Sequence, residues 1–276
     1  MTTSDLSAWV GRSKTVSDRL DPNHAASIAV TLGQAKPGVG SDLAPLWHWA
    51  YFLETVPLSE TGRDGHPARG SFLPPADNRN RMWAGGRVNF LGALKVGVEA
   101  EKTSTVTAIK EKQGRTGSLL FVTVKHDIVQ NGKLLISEEQ DIVYREPSPP
   151  KLIGSEPAPV SQWIYPVNPT EVMLFRYSAV TFNSHRIHYD YPYVTQTEGY
   201  PGLVVHGPLI ATMMCQGFTQ ANPQARMKHL AYRGLRPLIS PAPFDVAGII
   251  QDNGQALVWA QQDGTLAHQA EIQFDI

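Results

Sequence analysis

Two short segments in the second half of the chain carry side chains whose types could do chemistry. The first is Thr181-Phe-Asn-Ser-His-Arg-Ile-His-Tyr-Asp190 and the second is Val205-His-Gly-Pro208. The first segment places two histidines, an amide, a guanidinium and a carboxylate within eight positions. It follows neither the helical nor the strand hydrophobic period. A hydrophobic core does not accommodate so many polar and charged side chains. We therefore interpret the segment as a loop between packed elements, where catalytic groups are commonly found.

The elements that flank this loop come next. The segment 172–182 reads as a strand, and 208–219 reads as a helix that is apolar nearly all round. Such a helix must be buried on most sides. The remaining second-half segments with strand patterns are 228–235, 244–252, 255–262 and 265–276. One antiparallel sheet that curls around the apolar helix would bury it.

The first half shows the same plan with weaker signals. Asp5, Asp21 and Asp42 can each cap a helix. The helix that begins at Asp42 would span 42–53, and we expect it to be the first-half counterpart of the 208–219 helix. Strand patterns follow at 87–94, 100–110, 118–129 and 133–144, with Asn131-Gly132 as a two-residue hairpin turn. Asp263-Gly264 repeats this turn in the second half, which favours an internal duplication.

A polar stretch at 59–81 has no hydrophobic period and reads as a long surface loop. It is interpreted either as a solvated loop or as a set of guanidinium groups for phosphates or a substrate carboxylate. The arginines concerned, including one just beyond the loop, are Arg63, Arg69, Arg79, Arg81 and Arg87. We expect a first domain at 1–146, a proline-rich linker at 147–169 and a second domain at 170–276.

Composition limits the function classes. The 24 Lys and Arg residues nearly balance 25 Asp and Glu residues, which disfavours nucleic acid and anionic membranes as partners. A single cysteine excludes an internal disulfide framework and a multi-thiolate zinc site. No apolar run is long enough to span a bilayer. We therefore expect a cytoplasmic enzyme without a metal or redox cofactor.

The motif Asn183-x4-His188-x-Asp190, then His206-Gly207 before an apolar helix, then Tyr232-Arg-Gly-Leu-Arg236-Pro237, resembles the MaoC-like (R)-specific enoyl-thioester hydratases and dehydratases. Met82-Trp-Ala-Gly-Gly86 and the 178–190 segment are similar to the double-hotdog branch, which includes type 2 hydroxyacyl-thioester dehydratases and the mesaconyl-CoA and itaconyl-CoA hydratases. The resemblance implies an α+β tandem hotdog fold and an acyl-CoA substrate, with CoA as part of that substrate. A homodimer or higher homo-oligomer is expected.

Site roles follow from this resemblance and from the chemistry of each group. His188 matches the catalytic histidine and has a suitable intrinsic pKa for a base. Asn183 stands where the broader family has an aspartate, and an amide can orient water or the thioester but cannot exchange a proton near neutrality. Either His188 does all the acid–base work, or a carboxylate from elsewhere contributes. Gly207 is the expected oxyanion donor at the helix N-terminus.

Further residues are expected near the substrate. Asp190 either orients an imidazole or closes the turn, and Arg186 either holds Asp190 or meets a CoA phosphate. The other candidates for substrate contacts are His185, His206, Arg233, Arg236, Arg81 and Arg87.

The expected reaction is reversible hydration of a short enoyl-CoA, such as a dicarboxylic itaconyl or mesaconyl thioester. One alternative is dehydration of longer 3-hydroxyacyl thioesters, and another is a non-catalytic acyl-CoA-binding module.

Overall fold

The structure, a computed structural model, describes residues 6–68, 72–76, 79–114, 117–146, 149–251 and 254–276. Its ten strands form one antiparallel sheet in the order β1-β3-β4-β5-β2-β7-β10-β9-β8-β6. The first-half elements are β1 (Ser13–Arg19), α1 (Pro22–Thr31), β2 (Asn80–Phe90), β3 (Glu99–Gly114), β4 (Gly117–Gln130) and β5 (Lys133–Arg145). The second-half elements are β6 (Trp163–Val167), α2 (Glu171–Val180), α3 (Tyr191–Gln196), α4 (Gly207–Ala221), β7 (Arg226–Gly234), β8 (Phe244–Gln251), β9 (Gln255–Gln262) and β10 (Thr265–Asp275).

From the centre of the sheet to its edge, the first half has the order β2-β5-β4-β3-β1 and the second half has the order β7-β10-β9-β8-β6. Each half thus places its second strand at the centre, then its fifth, fourth, third and first. The halves meet where β2 pairs with β7, with Gly86 opposite Tyr232. The two predicted hairpin turns are alike, because Asn131-Gly132 and Asp263-Gly264 all have positive φ. These are the backbone angles that a two-residue hairpin turn requires. The predicted duplication is therefore visible in the topology.

Helix α4 is the central helix of the second half. Pro208 occupies its first turn, where a missing N–H costs nothing, and Asn222 ends it. Nine of its residues are buried, including Leu209, Ile210 and Phe218. They pack against the sheet in the main hydrophobic core. This confirms the predicted buried helix.

The first half has no counterpart of α4 at 42–53, so that prediction is wrong. Only a 3-10 turn, Trp47–Ala50, forms there, although Leu43, Leu46 and Trp47 are buried. Pro45 lacks a donor and disfavours helical angles at the residue before it, and Leu46 adopts a left-handed conformation. The apolar side chains therefore cover the sheet as an irregular segment.

The predicted strand at 172–182 is also wrong, because the chain forms helix α2 there. Thr170 caps it by accepting a hydrogen bond from Met173 N at 3.2 Å. The buried residues Leu174, Tyr177 and Ser178 have helical spacing and lie on the side that faces the core. β-branched and aromatic residues suggested a strand, but tertiary burial decided for the helix.

Other predicted boundaries are partly met. Asp21 caps α1 as predicted. Asp5 lies outside the described residues, and a 3-10 turn, Leu6–Trp9, follows it. The proposed linker contains β6, which pairs with β8 at the sheet edge, so the second-half sheet begins inside that range. The domain limits themselves stay a prediction. Among the described residues, no helix has the length and hydropathy needed to cross a bilayer.

Candidate active site

The loop 181–190 connects α2 to α3 and holds the catalytic candidates. It turns sharply at Phe182, whose φ is positive, and Asn183 N donates to Ser178 O at 2.8 Å. A 3-10 turn, Arg186–His188, follows. Asp190 then caps α3 by accepting a hydrogen bond from Tyr193 N at 3.0 Å. The loop is thus tied to a helix at each end.

His188 has the tautomer and the protonation state that a proton acceptor needs. Its Nδ1 donates to the Val204 carbonyl at 2.7 Å, and a carbonyl can only accept, so Nδ1 carries the proton and Nε2 has the free lone pair. Only 6% of the residue is exposed. Burial, followed by the charge of His185, holds the pKa of His188 well below its ordinary value. The imidazole is therefore neutral near neutral pH and able to accept a proton.

His206 lies directly beneath His188. The two rings stack with centroids 3.6 Å apart and planes 18° apart. His206 is completely buried, and its Nε2 forms a hydrogen bond of 2.8 Å with Ser178 Oγ. The enclosed ring supports the ring plane of His188, and the expected substrate contact by His206 stays a prediction.

Gly207 is the first residue of α4, and its N–H makes no backbone hydrogen bond within the described chain. Helix N-termini leave such donors unpaired and favour negative charge. A Cβ at this position would lie 2.6 Å from Trp83 Cε3. Glycine therefore allows the Trp83 indole to pack directly against the start of α4. The role of Gly207 as an oxyanion donor stays a prediction.

Aromatic residues, mostly from the first half, form the wall opposite Gly207. Trp83 of β2 stacks on Tyr232 of β7 at 4.6 Å, and Trp49 meets both edge-on at 5.6 and 5.7 Å. Glu138 fixes Trp49 by accepting a hydrogen bond from its Nε1 at 2.9 Å. Sequence reasoning did not assign these residues to the site. Trp83 lies in the Met82–Gly86 motif, which was the available signal.

A turn of the long first-half loop docks beside the catalytic loop. Arg186 N donates to Asp64 O at 2.9 Å, and Ser184 Oγ donates to Gly65 O at 2.5 Å. A side chain on Gly65 would collide with the Ser184 carbonyl. This turn is therefore packed against the catalytic loop, which disfavours a fully solvated loop at this point. The guanidinium role of the loop stays a prediction, and Arg69 lies outside the described residues.

The docked turn brings Asp64 and His66 next to His185. The His66 and His185 rings are 4.2 Å apart, and those of His185 and His188 are 5.3 Å apart. His66 Nδ1 lies 3.2 Å from Asp64 Oδ2. The ligand atoms of Asp64, His66 and His185 all fall within 4.8 Å of one another, a grouping that could hold a metal ion. The expected absence of a metal stays a prediction.

Asn183 uses its side chain within the loop. Its Oδ1 accepts a hydrogen bond from His185 N at 3.0 Å, and the residue is half-buried. The oxygen thus orients the loop, which leaves the amide nitrogen as the group able to hold water or a thioester. The catalytic role of Asn183 stays a prediction.

Asp190 and Arg186 bind each other. Arg186 Nε and Nη2 lie 2.9 and 2.8 Å from Asp190 Oδ2, and the guanidinium covers the Tyr193 ring at 4.0 Å. Asp190 thus closes the turn and Arg186 holds Asp190. Their expected substrate contacts stay predictions.

The other predicted arginines separate by environment. Arg236 is buried and donates to Leu266 O, Gln262 O and Thr265 Oγ1. Arg87 lies 2.5 and 3.0 Å from the carboxylates of Glu139 and Asp141. The expected substrate contacts of both arginines stay predictions. Arg233 is exposed on β7, and its substrate contact stays a prediction.

Comparison with known proteins supplies the family. The profile of the hydroxyacyl-thioester dehydratase type 2 family matches residues 46–240. The mesaconyl-C(4)-CoA hydratase of Chloroflexus aurantiacus is 41% identical over 285 aligned positions, covering 99% of both chains. The chain belongs to the type 2 hydroxyacyl-thioester dehydratase family. It is accordingly an enzyme of the hydratase and dehydratase class, a hydro-lyase, which decides against a non-catalytic module.

Solved structures confirm the fold. A MaoC-like dehydratase from Phytophthora capsici superposes with a TM-score of 0.74 at 12% identity, covering 100% of this chain and 99% of that one. A Mycobacterium tuberculosis protein described as a double hotdog superposes with a TM-score of 0.61 at 12% identity, with 96% of each chain covered. The predicted tandem hotdog architecture is confirmed, with the first-half central helix missing.

Proposed function

We propose that this enzyme adds water reversibly to the double bond of a short, dicarboxylic enoyl-CoA of the mesaconyl type. The observation that carries the proposal is the pairing of a proton-accepting His188 Nε2 with the unpaired Gly207 N–H at the start of α4. The near full-length similarity to a mesaconyl-C(4)-CoA hydratase indicates the acyl group.

The geometry supports a single-base reaction. His188 Nε2 takes a proton from water, and the hydroxide oxygen forms a bond with the β-carbon. Negative charge then develops on the thioester oxygen, where the Gly207 N–H and the helix dipole stabilise it. One such donor typically lowers a barrier by about 3 kcal/mol. His188 returns its proton to the α-carbon, so the water is added in full and the imidazole is neutral again.

The supporting residues explain how His188 can serve twice. The Val204 carbonyl fixes the tautomer, and the stacked His206 fixes the ring plane. Burial keeps the pKa of His188 low, so the protonated imidazole formed during the reaction is a strong acid that readily gives up its proton. We propose that no cofactor takes part, because CoA belongs to the substrate.

The test is hydration of a panel of enoyl-CoA thioesters, followed by loss of the conjugated double bond. We expect turnover of mesaconyl-C4-CoA, and a loss of several orders of magnitude in His188→Gln with an unchanged melting temperature. His229→Gln is the control, because this half-buried histidine lies within β7 and its side chain bonds only Asn89 among the described residues. No turnover of any short or dicarboxylic thioester would refute the proposal.

Dehydration of longer 3-hydroxyacyl thioesters is the second candidate, because the matching family profile bears that description. The same panel separates the two, since this function predicts that kcat/KM rises with chain length.

The cellular setting is also a proposal. We propose a cytoplasmic enzyme that assembles into a homodimer or higher homo-oligomer. Light scattering of the purified protein would test the proposed oligomeric state.

A further inference from the structure

Three arginines lie on or just before β2, and they differ in their partners. Arg79 Nη2 lies 2.7 Å from Glu111 Oε1, and Arg87 bridges Glu139 and Asp141. Arg81 lies between them, is half-buried, and forms no ion pair with any described residue. A guanidinium is always charged, and burying it without a counter-ion is costly. Such a group is suited to an anion supplied by a ligand.

The strand register places Arg81 on the inner face of the sheet. In the antiparallel pair of β2 and β5, Arg81 stands opposite Tyr144 and Trp83 stands opposite Ile142. Tyr144 and Ile142 are both buried in the first-half core cluster. Residues that are paired across two strands point to the same face, so Arg81 and Trp83 share that face about 7 Å apart. Arg87 follows the bulge at Trp83/Gly85 and pairs with Glu139 on the outer face.

This face is the one that meets the catalytic loop. Trp83 packs against Gly207, and Arg81 lies two residues earlier on the same face of β2. Asn80, the residue before Arg81, donates through Nδ2 to Glu198 Oε2 at 3.2 Å, so the start of β2 lies beside the segment that follows the catalytic loop and α3. The His185 ring lies 5.3 Å from the His188 ring. Arg81 therefore lies on the strand that runs beside the catalytic loop, on the face that Trp83 turns toward Gly207.

One carboxylate in this region could oppose an anion. Asp64, however, directs Oδ2 to His66 Nδ1 at 3.2 Å and Oδ1 to His66 N at 3.1 Å. Both of these Asp64 oxygens therefore interact with His66. Arg186, the guanidinium within the catalytic loop, is already paired with Asp190, whereas Arg81 forms no ion pair with any described residue. Arg81 is therefore a cation on this face that can meet a substrate anion.

We propose that Arg81 binds the free carboxylate of a dicarboxylic acyl group and thereby sets substrate specificity. The inference rests on the proposed function and deepens it. In a mesaconyl-C4 thioester, the free carboxyl group is carried by the β-carbon, the same carbon that water attacks. Because His188 delivers water to that carbon, the carboxylate must lie beside His188. We infer that Arg81 and His185 lie on the side of the site where the carboxylate binds. A planar guanidinium can grip it through two parallel hydrogen bonds.

A matched pair of substrates tests this role. 3-Methylcrotonyl-CoA has a methyl group where mesaconyl-C4-CoA has its carboxylate, so the ratio of the two kcat/KM values reports on the carboxylate alone. Arg81→Met should lower this ratio about 10- to 100-fold, the usual effect of losing a charged hydrogen bond. Arg81→Lys should lower it less, because the charge remains and the fork is lost. Arg176→Met, an exposed arginine on α2, is the control and should leave the ratio unchanged.

Binding provides a second measurement that does not depend on turnover. Succinyl-CoA and butyryl-CoA carry no double bond, so both act only as competing ligands. Arg81→Met should weaken inhibition by succinyl-CoA about 10- to 100-fold and leave butyryl-CoA within twofold of wild type. Equal changes for both ligands, or no change in either ratio, would overturn the role of Arg81. The proposed function fails separately, if the wild-type enzyme does not hydrate mesaconyl-C4-CoA.

Discussion

A methyl group added at Gly207 would test how closely the reaction depends on the tight packing of Trp83 against the start of α4. The Cβ of Gly207→Ala would lie 2.6 Å from Trp83 Cε3 and 3.1 Å from Cζ3, whereas carbon atoms in contact prefer about 3.5 to 4.0 Å. About 1 Å of movement is therefore needed. Trp83 is held by Tyr232 at 4.6 Å and Trp49 at 5.6 Å, so part of the movement falls on the helix start that carries the N–H.

A displacement of about 1 Å in a reacting group costs on the order of 100-fold in rate. We expect kcat/KM for hydration to fall by about that factor, and overpacking to lower the free energy of unfolding by about 1 to 3 kcal/mol. The assay is hydration under kcat/KM conditions, with thermal melting measured on the same samples. Gly38→Ala is the control, because a Cβ there meets nothing within 4 Å.

The double variant Gly207→Ala/Trp83→Leu identifies the cause. If the collision slows the reaction, the added methyl group should have little effect once the indole is gone, so the double variant should match Trp83→Leu alone. The reasoning is refuted if Gly207→Ala keeps kcat/KM within threefold of wild type, or if its loss is the same with and without Trp83.

Three further outcomes follow from buried groups. His206→Leu should lower kcat about tenfold and leave KM nearly unchanged. His206→Phe preserves a stacked ring on His188, so its kcat should fall less. Equal falls in kcat for the two variants would argue against a role for stacking. Burial lowers the pKa of His126 from 6.5 to about 4, so the unfolded chain binds its proton first, and this group alone should lower stability by roughly 3 kcal/mol as pH drops from 6.5 toward 4. Denaturant titrations should show a shallower fall in His126→Gln, and an identical pH slope would contradict this assignment. Burial also raises the pKa of the Cys215 thiol, so Ellman's reagent should react with one thiol per chain only after unfolding, and rapid reaction with the native enzyme would be inconsistent with its position.

Local signals in the sequence were sufficient for much of the fold. The Asn131-Gly132 and Asp263-Gly264 turns, the Asp21 cap and the continuous apolar character of α4 each depend on neighbouring residues alone. The polar loop at 181–190 was also visible from sequence, because its composition conflicts with any hydrophobic period. With the motif around His188, these signals led to the family that the comparisons confirm.

Tertiary structure decided what local signals could not. Strand propensity favoured a strand at 172–182, and only packing against α1 and the core made that segment helix α2. The apolar spacing at 42–53 favoured a helix, which Pro45 and the fit of the segment to the sheet prevent. The arrangement of the site also depends on contacts between the halves. Trp83 reaches Gly207 because β2 pairs with β7, and His66 reaches His185 because its turn docks on Ser184. Both contacts join residues more than a hundred positions apart.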